Sequence, residues 1–323
     1  MTDYFLSCDW GTSSFRLKLI TIPALQILSE ENSDTGIATV FAAWSKRAEK
    51  DQARRQLFYL KVLASYIKNM ERETGISLAH VPVVLSGMAS STIGIVDVPY
   101  THLPFAIDGS NINTNLIKED KVFAHDVLII SGTRNSDDVM RGEETQLIGC
   151  MDENPVADSA DQLYIFPGTH SKHIHVKNGA VVSFSTYMTG EFFALLSKQS
   201  ILHTAVEKHA GIEPTNSFIK GVKEAVNGNL LHTAFMVRTN DLFKKLNKEE
   251  NYDYLSGLLI GTELKDILKV EADVSLCCNS NIEKYYSAAL AALGLNDKVR
   301  IIPPEKVDRS VIVGQYKILQ SKR

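Results

Sequence analysis

Two short turns in this sequence combine glycine with hydroxyl side chains in the way a bound phosphate requires. Asp9-Trp10-Gly11-Thr12-Ser13-Ser14 follows one apolar run, and Pro167-Gly168-Thr169-His170-Ser171 follows another. Glycine lets the backbone approach an anion closely, and successive N–H groups form an anion-binding concavity. Either turn alone is a common strand connection, whereas the pair in matching positions points to a phosphate clamp. Asp9, ahead of Gly11-Thr12, suits Mg²⁺ held through water, because that ion keeps much of its hydration and takes few carboxylates. The plainer reading of Asp9 is a turn residue capping its own loop. His170 and Lys172 read as donors to a phosphate at the second turn. His170, His173 and His175 also invite a zinc site, but no Cys pair or third ligand at a familiar spacing accompanies them.

Arg141-Gly142-Glu143-Glu144-Thr145-Gln146 opens a predicted helix. Its dipole stabilises two carboxylates at that end, which is reason enough for them to be there. The functional reading has one of them accept a proton from a substrate hydroxyl attacking a γ-phosphate. Neighbours on a helix point about 100° apart, so only one faces the reaction. GxxxxGK[ST], the kinase GxGxxG with its HRD and DFG partners, and GxSxG are all absent from the sequence. A Rossmann domain is excluded on the same footing, because the first turn leads into a strand where that fold needs a helix.

The elements that must hold these residues alternate between apolar strands and amphipathic helices. Tyr4–Asp9 and Phe15–Ile20 read as strands, with Leu25–Leu28 as a third after Pro23. A long helix is predicted over 49–73, ending at Gly75. Val81–Leu85 and Val127–Ile130 read as short buried strands, 92–115 as mainly loop, and about 142–151 as a helix. The acidic stretch Asp152–Asp161 reads as a linker or an exposed loop. Then the opening repeats: strand Leu163–Phe166, the second Gly-Thr turn, strand Lys172–Val176, the hairpin signal Asn178-Gly179, and strand Val181–Thr186. Helices fill about 190–270, followed by strand Val274–Cys277, helix Ile282–Leu293, strand Val299–Ile302 and a final helix over Val311–Leu319.

Length and composition agree with a two-domain α/β protein. The chain has 323 residues, 44% hydrophobic and 22% charged, where a domain takes about 150 residues. We place the boundary at the acidic stretch, giving domains 1–152 and 153–323, with the final helix free to pack back on the first. A net charge of −4 lacks the basic excess of a nucleic-acid or anionic-membrane binder. The apolar runs are too short to span a bilayer, and the N-terminus lacks the features of a signal peptide. Four cysteines form neither a CxxC pair nor a disulfide framework, so a reducing cytoplasm is expected. Whether the chain forms a homo-oligomer stays open at this level.

The segments DWGTSSFR, SGMASSTIG, VMRGEETQLIG, FPGTHSKHI, YMTGE and YLSGLLIGTEL occur in the order seen in 2-dehydro-3-deoxygalactonokinases, and the chain resembles that family from Asp9 to about Leu293. DWGTS alone resembles the wider actin-like ATPase and sugar-kinase superfamily. The resemblance implies two ribonuclease-H-like domains facing each other across a cleft, and ATP- and Mg²⁺-dependent phosphorylation of 2-keto-3-deoxygalactonate at its 6-hydroxyl. It assigns Asp9, Gly11, Thr12 and Ser13 to the first phosphate loop, with Asp9 also the metal partner. Gly168, Thr169, His170 and Ser171 become the second loop, and Gly257, Gly261 and Asn279 join the nucleotide side. Glu-Glu-Thr resembles the Asn-Asp-Thr of hexokinase-like relatives, making Glu144 the candidate base and Glu143 its substitute. Arg16 and Arg141 are the candidate cations for the sugar-acid carboxylate; Ser86, Met88, Ser90, Thr189 and Glu191 would line the sugar side. Cys277-Cys278-Asn279-Ser280-Asn281 stands where the family usually carries a glycine-containing turn over adenine, and Ile95 where a Trp is common. Two alternatives accompany this reading: a sugar-acid-binding sensor without catalysis, and a kinase for another sugar acid such as 2-keto-3-deoxygluconate.

Overall fold

In a computed structural model, residues 3–47, 51–151, 161–208, 211 and 213–322 are described. The linker expected over Asp152–Asp161 lies, apart from Asp161, outside the described residues, as does the start of the helix predicted from Glu49. The chain groups into two compact units. One comprises Met1–Pro155, Gly179–Val182 and Asp308–Arg323; the other comprises Val156–Asn178 and Ser183–Val307.

The first unit opens with β1 (Asp3–Trp10), β2 (Phe15–Ile22) and β3 (Ile27–Ser33), followed by α1 (Ile37–Ser45) and α2 (Gln52–Thr74). Next come β4 (Val83–Gly87), the two-residue strands β5 (Thr101–His102) and β6 (Phe105–Ala106), β7 (Thr114–Ile117) and β8 (Val127–Ile130). Short β9 (Thr133–Arg134) and β10 (Val139–Met140) lead into α3 (Glu143–Cys150). Six strands form one sheet in the order β3-β2-β1-β4-β8-β7. β1 is antiparallel to β2 and parallel to β4, and β4 is parallel to β8.

Helix α2 lays Tyr59, Leu60, Leu63, Ile67 and Met70 on this sheet, against Leu6, Cys8, Trp10 and Leu17. Asp51 caps its start by accepting from the Arg54 N–H, and Gly75, at φ +68, ends it in the left-handed conformation. The third strand begins later than Leu25. That residue has φ +53, and its N–H donates to the Thr21 carbonyl, so residues 21–26 form the turn instead.

The second unit has β11 (Gln162–Phe166), β12 (Ser171–Lys177), β13 (Ala180–Tyr187, in this unit from Ser183), and helices α4 (Thr189–Lys198), α5 (Asn216–Asn227), α6 (Leu230–Leu242) and α7 (Lys248–Leu264). β14 (Asp273–Leu276), α8 (Ser280–Ala292), β15 (Val299–Ile301) and α9 (Pro304–Ser321) complete it, with α9 joining the first unit from Asp308. Its strands run β15-β14-β11-β12-β13, with β11 antiparallel to β12 and parallel to β14, and β14 parallel to β15. In chain order this repeats the β8-β4-β1-β2-β3 arrangement of the first unit, as the paired turns predict. Among the described residues no helix is long and apolar enough to cross a membrane.

Candidate active site

In the first unit the site grows from two parallel strand ends. The β1–β4 register sets Asp9 beside Ser86 and Trp10 beside Gly87. Gly87 has φ +81, and a Cβ there would fall 2.9 Å from the Trp10 carbonyl oxygen and 3.1 Å from Asp9 Oδ1. A side chain at this position would therefore collide with the strand carrying Asp9. Gly142, at φ +109, backs onto the same point: a Cβ on it would lie 3.7 Å from the Gly87 Cα. Asp9, Gly87 and Gly142 thus converge, and α3 starts where they meet.

Glu144 is fully buried at that helix start. The Gly142 N–H donates to both its carboxylate oxygens, at 2.9 and 2.8 Å, and the Thr145 hydroxyl donates to Oε1 at 3.1 Å. Burial, and then the neighbouring Glu143 charge, push its pKa up to about 8 despite those donors. Glu143 is partly exposed and accepts the Arg141 N–H at 3.0 Å. Arg141 donates to Ser90 Oγ at 2.5 Å, and its guanidinium lies 4.4 Å from the Tyr100 ring centroid. Ser86 is committed inward, its hydroxyl accepting from Gln315 Nε2 at 2.9 Å. Met88 and Ser90 form the turn that follows β4, with Ser90 buried and Met88 partly exposed. Arg16, opposite Asp9 across β1–β2, forms an ion pair with it at 3.5 Å. Burial raises the Asp9 pKa, opposed by the Arg16 and Lys18 charges.

Each Gly-Thr loop rests on the N-terminus of a helix. In the first, Gly11 donates to the Ser14 carbonyl at 2.9 Å, while Ile37 and Ala38 donate to the carbonyls of Gly11 and Thr12 at 3.0 Å each. Gly36, just ahead of α1, permits the approach, since a Cβ on it would sit 2.3 Å from the Thr12 carbonyl oxygen. In the second, the Glu191 N–H donates to the Thr169 carbonyl at 3.1 Å, and a Cβ on Gly190 would sit 2.7 Å from the Gly168 carbonyl oxygen. The sequence pattern did not yield α1, because Ile37, Thr39 and Val40 are β-branched residues with weak helix preference.

The second loop hangs on one buried carboxylate. Glu263, near the end of α7 and 2% exposed, accepts from Ser171 Oγ at 2.7 Å and Tyr286 OH at 2.8 Å. His173 Nε2 lies 3.0 Å from its Oε1, and the Thr189 hydroxyl donates to Oε2. Four side chains from β12, α4 and α8 are thereby fixed by one group that sequence reasoning missed; its only signal is a Glu two residues after the Gly261 singled out above. Thr189 and Glu191 belong to this cluster, and Glu191 Oε2 lies 2.5 Å from His170 Nε2. Lys172 donates to Thr186 Oγ1 at 2.8 Å.

Gly257 and Gly261 occupy the α5–α7 contact, where Cβ atoms would stand 2.0 Å from the Phe218 carbonyl oxygen and 2.8 Å from the Val222 Cα. Asn279 caps α8, accepting the Ile282 N–H at 3.2 Å. A cavity of about 160 Å³ lies between the second loop and these helices, lined by Gly168, Thr189, Phe193, Leu259, Ile282 and Tyr286 among others. No group of three or more His, Cys, Asp or Glu side chains is arranged to hold a metal ion among the described residues.

The family model for 2-keto-3-deoxy-galactonokinase matches residues 9–310. A Rhizobium meliloti (strain 1021) protein, named as a probable 2-dehydro-3-deoxygalactonokinase, is 29% identical over 317 residues, covering 95% of this chain and 94% of its own. The Escherichia coli (strain K12) 2-dehydro-3-deoxygalactonokinase is 29% identical over 303 residues, 91% of each chain. A Sinorhizobium meliloti crystal structure given the same kinase name superposes with a TM-score of 0.78 at 28% identity, covering 98% of this chain and 96% of that one. With the match running through both Gly-Thr loops and the Glu-Glu helix start, the chain belongs to the 2-keto-3-deoxy-galactonokinase family.

Proposed function

We propose that this chain transfers the γ-phosphoryl group of ATP to the 6-hydroxyl of 2-keto-3-deoxygalactonate, within the two-lobed actin-like arrangement that its family resemblance implies. The observation that carries this reading is the convergence of Asp9, Gly87 and Gly142 at the buried Glu144 carboxylate, in a chain of this kinase family. Amides and hydroxyls of Thr12-Ser13 and Gly168-Thr169 hold phosphate oxygens, as anion-binding turns do. Asp9 would hold Mg²⁺ through water as its single carboxylate, and the ion when bound would offset the charge of the β- and γ-phosphates. Arg141, oriented by Ser90 and Tyr100, faces the sugar-acid carboxylate. The substrate oxygen bonds to the γ-phosphorus, the bond to the β–γ bridging oxygen breaks, and the hydroxyl proton passes to Glu144. The cavity beside Gly168 and Ile282 is where adenine would enter.

A coupled ADP-release assay with Mg-ATP and galactonate- and gluconate-derived 2-keto-3-deoxy acids tests the substrate. Turnover confined to the galactonate-derived acid is expected; equal turnover of both removes the epimer from the proposal. Glu144→Gln is expected to lower kcat by about 10²–10⁴-fold while both substrates still bind. Full turnover in that variant would exclude Glu144 as the base.

A further inference from the structure

Helix α6 buries Thr233, Ala234, Val237 and Asn240 in its own unit, yet its opposite side is also apolar. Leu231 is 85%, Phe235 51% and Leu242 57% exposed, with Arg238 between them. Positions 231, 235, 238 and 242 follow a four-three-four spacing, which places them on one stripe about 60° wide. That is the seam spacing of paired helices. Phe243, 66% exposed, follows directly at the end of the helix. Ile201, 63% exposed, borders it in the short turn Ile201–Ala205, which Arg238 reaches by donating to Thr204 Oγ1 at 3.3 Å. Single exposed apolar side chains are ordinary, but a contiguous stripe with a seam's spacing marks a contact surface.

We propose that two copies of this chain pair through α6, antiparallel about a twofold axis passing between residues 236 and 237. The occupant is argued from self-complementarity, which a twofold contact demands. In this register Leu231 meets the partner's Leu242, and Phe235 meets the partner's Arg238, a guanidinium against an aromatic face. Arg238 is held in place by Asp241 of its own helix at 3.6 Å. A parallel pairing would instead set Arg238 against the partner's Arg238, and like charges repel. The proposal does not depend on the kinase reading.

Sedimentation velocity on the full chain, from about 0.1 to about 100 µM, is expected to give a dimer, and Phe235→Glu to weaken it at least about 100-fold. The four native cysteines are buried, so introduced ones report the register. Leu231→Cys combined with Leu242→Cys is expected to cross-link two chains under mild oxidation. Leu231→Cys alone is not, because the two copies of position 231 would lie more than about 15 Å apart. A monomer throughout the range, a dimer untouched by Phe235→Glu, or cross-linking by Leu231→Cys alone would each overturn the proposal and leave the stripe to another occupant.

Discussion

At the scale of residues, Glu144 sets the pH behaviour. Its folded pKa of about 8 stands above the ordinary carboxyl value of 4.5, so in the unliganded protein it is mostly protonated at neutral pH. If it accepts the substrate proton, kcat/KM is expected to rise with pH through about 8, and the Glu144→Gln variant to lose that limb. The same shift enters stability. The contribution of the neutral form is complete below about 4.5, declines as pH rises towards 8 and is flat beyond, a loss on the order of a few kcal/mol. Thermal melts of Glu144→Gln should lack this decline; parallel pH dependence in both proteins would show that Glu144 is not the group responsible. Loops built from glycine and hydroxyls were legible in the sequence, because phosphate chemistry restricts which residues serve. Glu263 and Gln315 were not, because a buried hydrogen-bonding residue has no sequence signature until the fold brings its partners to it.

At the scale of elements, each loop is only as fixed as the helix beneath it. The apolar alternation of β1 and β2 and the period of α2 were legible, since a half-buried face writes its own repeat. Helix α1 was not, and neither was the packing reason for Gly257 and Gly261, which depends on how closely α5 approaches α7. The second loop gives the sharper prediction. Glu263→Gln replaces an acceptor oxygen with an NH₂ group among four hydroxyl and imidazole partners. The KM for ATP is expected to rise about tenfold or more while the KM for the sugar acid stays put. Equal losses for both substrates would reduce Glu263 to general stability.

At the scale of the whole molecule, two sheets of the same strand order are interrupted and completed unevenly. Helix α9 seals the first unit far from where the chain began it. A Cβ on Gly314 would meet the Thr145 carbonyl oxygen at 2.0 Å, and one on Gly149 the Ser310 carbonyl oxygen at 1.8 Å, so α3 and α9 cross backbone to backbone. Lys317 donates to the carbonyls of Ile148 and Met151 at 3.1 and 3.0 Å, closing the C-terminal end of α3. Gln315 Nε2 donates to the Cys8 carbonyl and to Ser86 Oγ, both at 2.9 Å, clipping together the strand ends behind Asp9 and Gly87. A chain stopped at Val307 should therefore lose turnover entirely and open the β1 and β4 strand ends to rapid amide exchange. Retained activity would show that α9 is dispensable.

That clip also imposes an order on biosynthesis. Cys8 and Ser86 leave the ribosome more than two hundred residues before Gln315 does, so the nascent first unit must wait, with its core unsealed, while the second is made. At about 5–20 residues per second the wait is on the order of ten seconds or more. During that time the bare face of β1 and β4 depends on chaperones or on the growing chain itself for cover, and slowing translation beyond codon 150 should cost yield of folded enzyme.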